Sequence, residues 1–189
     1  MPARRLEDSF IKACRTAGRP LTLRLAIEER LDNDSTQRYC CVVPIPGFQP
    51  DGLLPAGIHA ATWAEIEARF GTSPYRQTIM GGLLDAARLL ARANCKTLYV
   101  DGSFVTEKLF PGDFDACWDA VGVDVNRLDP VFLDFSNRRS AQKARFRGEL
   151  FISSTTADAA GNTFLRFFQI DKNSGAPKGI VVLDLGGLP

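Results

Sequence analysis

The stretch from Thr97 to Trp118 constrains the fold most. Thr97 to Val100 is a short run rich in β-formers that ends at Asp101-Gly102-Ser103, so a strand empties into a glycine turn. After nine intervening residues comes Asp113-Phe114-Asp115. Phe114, Ala116 and Trp118 then alternate with Asp113, Asp115 and Cys117, and alternation places successive side chains on opposite faces of a strand. The second strand therefore has one apolar face for a core and one face bearing carboxylates.

Helices and further strands are legible around this stretch. Thr62-Trp63-Ala64-Glu65 is a capping-box pattern that opens a helix running to Phe70, with Gly71 as its stop. Ser73-Pro74 supplies a cap and a first-turn proline, and Ile79, Leu83, Ala86, Ala87 and Leu90 recur at helical spacing through Ala93. Val131 to Phe135 reads as a third strand that carries Asp134 between apolar neighbours. Ser136 is positioned to cap a basic helix stopped by Gly148, and Glu149 to Ser153 reads as a fourth strand. Phe164, Phe167 and Phe168 favour a helix, Asn173-Ser174-Gly175 a turn, and Ile180 to Leu185 a final strand.

The expected architecture is α/β (α+β): a small mixed sheet backed by helices, spanning residues 44–189. Residues 1–43 form a separate N-terminal segment, with a candidate helix over Leu6 to Cys14, then Leu21 to Glu29, a polar break, and apolar Tyr39 to Val43. Pro44, Pro46, Gly47, Pro50, Gly52, Pro55 and Gly57 make an irregular arm that no helix or central strand accommodates.

Composition excludes several classes of function. The chain has 23 Lys and Arg against 22 Asp and Glu, so no global field favours nucleic acid or a membrane. His59 is its one histidine, which removes His-rich zinc hydrolases, and it reads as a polar residue just before a helix. Ser103 lies outside any G-x-S-x-G nucleophile elbow. The five cysteines include no C-x-x-C pair, and no segment has the length and apolarity of a membrane span; a reduced, cytoplasmic setting is expected.

Gly102-Ser103 followed by Asp113-x-Asp115 has a chemical rationale. Phosphoryl and nucleotidyl transfer require donors around phosphate oxygens and a divalent cation that neutralises developing charge. Glycine lets the backbone approach a phosphate, and the serine adds a hydroxyl and an N–H. Two carboxylates leaving one strand face supply hard oxygen ligands, and Asp134 is the candidate third carboxylate, with Asp119, Asp124 and Asp129 as rivals. Lys108 is a candidate source of positive charge for the phosphates.

In their order these elements resemble the nucleotidyltransferase superfamily that includes DNA polymerase beta and small bacterial MNT-type proteins. Residues 45–118, with Pro177-Lys178-Gly179-Ile180, look more closely like an uncharacterised bacterial family within it. The resemblance implies transfer of a nucleoside monophosphate from a nucleoside triphosphate to an acceptor hydroxyl of a small molecule, protein or RNA, with magnesium or manganese as cofactor. It assigns Gly102 and Ser103 to the phosphates, and Asp113, Asp115 and Asp134 to metal and catalysis. Two departures stand out: Gly112 replaces a serine before the first aspartate, and Phe104-Val105-Thr106 lacks an arginine that many members carry.

Two rival readings use the same residues. A non-catalytic member of the fold would act through a protein partner, as in a toxin-antitoxin pair. An RNA-binding module would use Arg139, Lys143 and Arg147, which fall on one helical face at i, i+4 and i+8, although a solvated surface explains that face as well. Lys178 near Asp184 reads as a turn lysine or a second polar site, and Cys117 as a small buried hydrophobe.

Overall fold

A computed structural model of the protein describes residues 45–189. The expectations for residues 1–43, together with Cys14, Cys40 and Cys41, lie outside the described residues. Five strands form one mixed sheet: β1 (Gly57–Ala61), β2 (Thr97–Asp101), β3 (Phe114–Trp118), β4 (Gly148–Ile152) and β5 (Gly179–Asp184), in the spatial order β1-β5-β2-β3-β4. The β1/β5 and β3/β4 pairs are parallel, whereas β2 is antiparallel to both β3 and β5. Four helices accompany the sheet: α1 (Trp63–Phe70), α2 (Pro74–Arg92), α3 (Ser140–Phe146) and the single turn α4 (Phe164–Phe167). The fold is α+β with a mixed sheet, as the strand and helix patterns imply.

Local chemistry accounts for the helices. Thr62 accepts the Glu65 N–H while the Glu65 carboxylate accepts the Thr62 N–H, closing the capping box of α1. Ser73 accepts the Arg76 N–H, and Pro74 stands where its missing N–H costs nothing, so α2 starts there and turns Ile79, Leu83, Ala86, Ala87 and Leu90 inward. These side chains cover one sheet face, built from Leu98, Val100, Phe114, Ala116, Trp118, Leu150, Val181 and Leu183. Gly82 lets α2 and α3 meet, because a Cβ there would lie 1.8 Å from the Phe146 carbonyl oxygen.

Three expectations are corrected. Val131 to Phe135 is not a strand: the Asp129 carboxylate accepts the Val131 N–H at 3.0 Å and Pro130 occupies the first turn, so residues Pro130–Leu133 close into a 3-10 turn. Ser136 caps no α-helix, since its N–H and hydroxyl both donate to Asp134 (3.0 and 2.6 Å). The chain reaches α3 through left-handed Asn137, Arg138 and Arg139, and leaves it at left-handed Arg147, one residue before Gly148 opens β4. Finally, His59 lies within β1, with its Nε2 2.7 Å from the Pro55 carbonyl oxygen, and the arm before it ends as an edge strand.

Gln142 holds the corrected region together. Fully buried, it donates through Nε2 to the Val131 carbonyl (2.9 Å) and accepts the Leu150 N–H at Oε1 (2.9 Å), tying the 3-10 turn, α3 and β4 to one side chain. Phe132 stacks on Phe146 and meets Trp118 edge to face in the same layer.

Candidate active site

Alternation sends Asp101, Asp115 and Glu149 to the sheet face opposite α2. Their strands are neighbours, with Cα partners Asp101↔Asp115 on β2/β3 and Asp115↔Glu149 on β3/β4. Three carboxylates therefore form a row across one end of the sheet, and Asp113 stands just before β3. Farther along the same face Cys117, Phe151, Phe168 and Ile180 form a second apolar cluster, to which Tyr99, Phe164 and Leu165 add.

The row is electrostatically costly. Burial, then the charges of Asp113, Asp101 and Glu149, push the Asp115 carboxyl up to about 7, against the opposing pull of Lys178. Burial also raises Asp101, whose ionised form is supported by the Lys178 ammonium and the Gly102 N–H. Lys178 donates directly to Asp101 in an ion pair that is largely buried on both sides. Lys143 contacts Glu149 from α3 at 3.3 Å.

The glycine turn is built against this row. Gly102 has φ +81°, and a Cβ on it would lie 2.7 Å from Asp115 Oδ2 and 2.8 Å from the Asp115 nitrogen, so only glycine brings the turn this close. Ser103 begins a short 3-10 turn, and its hydroxyl donates to the Asp113 carbonyl at 3.4 Å. Arg76 fixes the following loop from below: its buried guanidinium donates to the carbonyls of Phe70 (2.6 Å), Lys108 (2.6 Å) and Phe104. Tyr75 adds a bond to the Pro111 carbonyl at 2.9 Å.

Of the expected site residues, the structure brings together Gly102, Ser103, Asp113 and Asp115. Asp134 is not with them. Its half-exposed carboxylate is held below the usual carboxylate range by the Ser136 hydroxyl and N–H, and is not among the charges that act on Asp115. Glu149 occupies the place expected for it. Lys108 is exposed and lines a shallow cleft of about 370 Å³ with Asp51, Gly52 and Glu107, while the cation acting on Asp115 is Lys178. Lys178 pairs with Asp101, not Asp184, whose carboxylate accepts the Gly186 N–H. Cys117 is fully buried, and burial holds its thiol far above the ordinary range, consistent with a packing role.

Asp101 and Glu149 are the residues that sequence reasoning missed. Glu149 had a signal: it alternates with buried Leu150 and Ile152 on an expected strand. Lys178 is singled out by the sequence as a turn lysine or second polar site, but its partner, 77 residues away, has no local signal.

A sheet of this topology with a carboxylate-rich, glycine-bounded end defines an α+β protein with a polar active-site candidate. The chain belongs to a family of unknown function, DUF6932, whose model matches residues 46–184. No curated protein and no solved structure matches the chain significantly.

Asp113, Asp115 and Glu149 offer hard oxygens of the kind a divalent cation takes, and the repulsion that Asp115 feels from its neighbours is a charge excess that a cation relieves. Among the described residues no three acidic, histidine or cysteine side chains are placed so that they could hold a metal ion. The row is thus grouped but open, and magnesium commonly completes its shell with water and substrate phosphates.

Proposed function

We propose that the protein is a magnesium- or manganese-dependent nucleotidyltransferase that moves a nucleoside monophosphate from a nucleoside triphosphate to an acceptor hydroxyl. The observation that carries this reading is the convergence of Asp113, Asp115 and Glu149 beside Gly102, where the glycine has no room for a side chain against Asp115.

When bound, the cation supplies charge neutralisation at the phosphates and at the attacking oxygen. The protein's own contributions are specific. Gly102 and Ser103 bring backbone N–H groups and a hydroxyl to the phosphates on the β2 side. Asp113 and Asp115 hold negative charge beside them, and Arg76 keeps the connecting loop from moving when the substrate enters. Glu149 accepts the proton of the acceptor hydroxyl as that oxygen bonds to the α-phosphorus and pyrophosphate departs.

One observation favours a second reading, a partner protein without catalysis. Leu109 and Phe110 are 75% and 68% exposed on the loop between Ser103 and Asp113, which is unusual for adjacent large apolar side chains. The RNA-module reading loses ground, because Arg139 and Arg147 flank α3 in left-handed conformations and do not continue the helical face of Lys143.

Incubating the purified protein with α-labelled nucleoside triphosphates, magnesium and cell extract separates these readings. Label appearing in a new product, and vanishing in the Asp113→Asn/Asp115→Asn variant, supports transfer. A stoichiometric protein complex with no labelled product supports the partner reading. Among the described residues no helix is long and apolar enough to cross a membrane.

A further inference from the structure

The carboxylate row is flanked by cations of two kinds. On the β2 side, Lys178 is committed to Asp101 and nearly buried. On the β4 side, Lys143 reaches Glu149 from an exposed position, with 43% of its side chain open to solvent. Beside it the Arg139 guanidinium lies 3.9 Å over the Phe151 ring and 5.0 Å from the centre of Phe135. Glu149 and Phe151 are two residues apart on β4 and face the same way, so Arg139 stands on the carboxylate face at the outer edge strand.

Two further features mark Arg139. Its Nε is buried without a hydrogen-bond partner, although guanidinium donors in folded proteins are normally satisfied. The chain reaches it through Asn137, Arg138 and Arg139 itself, with φ of 47, 54 and 56°, left-handed conformations that non-glycine residues adopt at a cost. Burial lowers the pKa of Arg139, and the charges of Glu149 and Asp115 oppose that effect. A strained turn thus holds an under-bonded cation over the open end of the carboxylate row.

The order across the sheet fixes what that cation faces. Gly102 directly follows β2, Asp115 is on β3, Glu149 on β4, and Arg139 lies beyond. Phosphoryl transfer is in line, with attacking and leaving oxygens on opposite sides of phosphorus. Phosphates held at Gly102-Ser103 leave on the β2 side, and the acceptor approaches from β4. Resting on the nucleotidyl-transfer reading, we propose that Arg139 and Lys143 bind a phosphate carried by the acceptor next to its reacting hydroxyl.

A planar guanidinium fork and a compact ammonium suit a phosphate better than a neutral group. Lys143 has a second effect. By turning from Glu149 to the incoming phosphate, it frees Glu149 to take the hydroxyl proton. The acceptor O–P bond then forms, the bond from the α-phosphorus to the bridging oxygen breaks, and its electron pair leaves with pyrophosphate. Sugar phosphates and the 3′ end of RNA both place a phosphate beside a free hydroxyl.

Calorimetry in EDTA with ribose 5-phosphate, inorganic phosphate and a short oligoribonucleotide tests this on the full chain. Arg139→Gln is expected to weaken the phosphate probes roughly tenfold or more, as loss of a charged hydrogen bond implies, and Arg139→Lys to recover part of it. Lys143→Gln, at an exposed position, should weaken them without risk to the fold. Binding of ribose 5-phosphate points to a small acceptor, and binding of the oligoribonucleotide alone to an RNA end. Absence of any probe binding by the parent, or equal affinity in parent and both Gln variants, overturns the proposal. So does an Arg139→Gln variant that loses magnesium-dependent binding of a non-hydrolysable triphosphate and keeps the probes. A parent that binds probes through Arg139 but never a triphosphate refutes nucleotidyl transfer and leaves the anion site standing.

Discussion

Replacing Asp115 by asparagine should stabilise the metal-free protein while removing its function. Asp115 is raised from 3.8 to about 7 in the folded chain, so folding favours its protonated form. A carboxyl raised in this way contributes nothing against folding below pH 4. Its penalty grows as pH climbs from about 4 to about 7, and is constant above. At about 1.4 kcal/mol per pKa unit, the full penalty at pH 8 approaches roughly 4 kcal/mol. Asparagine has nearly the same shape and no charge, so Asp115→Asn should be more stable than the parent at pH 8 by roughly 2–4 kcal/mol and near parity at pH 4. Urea denaturation in EDTA, followed by the fluorescence of Trp63 and Trp118, measures the difference at each pH. Acidic groups away from the row titrate alike in both proteins, so the change in the gap reports Asp115 together with its coupling to Asp101, Asp113 and Glu149. A gap that is the same at both pH values, or a variant less stable at pH 8, refutes the account of Asp115 as a carboxyl raised by burial and then by its neighbours' charges. Magnesium with a triphosphate should then stabilise the parent and not the variant.

Further expectations follow from contacts. Gly82→Ala should destabilise by about 3 kcal/mol, because its Cβ meets the Phe146 carbonyl, whereas Gly81→Ala, with open space around it, should gain roughly 0.5–1 kcal/mol; thermal melts of the pair check this. Gln142→Ala should cost about 1–3 kcal/mol by leaving the buried Leu150 N–H unpaired, while the Val131 carbonyl keeps the Asp134 N–H; denaturant midpoints read the loss. In the labelled-triphosphate assay, Glu149→Gln should lower transfer roughly a hundredfold, in the range for a lost general base, and Asp134→Asn should leave it unchanged. The reverse pattern would return the third carboxylate to Asp134.

The sequence disclosed what depends on neighbours in the chain. The capping box at Thr62, the Ser73-Pro74 start, the alternation at Phe114–Trp118 and the Gly102 turn are local signals, and each matches the structure. Asp134 misled because its apolar flanks imitate a strand, while Asp129-Pro130 two turns earlier already specifies a 3-10 turn. Arg139 looked like one of several helical basic residues, but left-handed backbone takes it out of the helix and over Phe151. The pairing of Lys178 with Asp101 and the threefold grip of Arg76 depend on chain packing between distant segments, which no local spacing encodes.

Isothermal titration of a non-hydrolysable nucleoside triphosphate into the full chain, with magnesium and then with EDTA, probes the carboxylate row directly. Saturable heat with magnesium that disappears in EDTA and in Asp113→Asn/Asp115→Asn is expected. Binding of equal strength in the double variant, or in parent protein stripped of divalent ions, would contradict a metal-bridged triphosphate at Asp113 and Asp115.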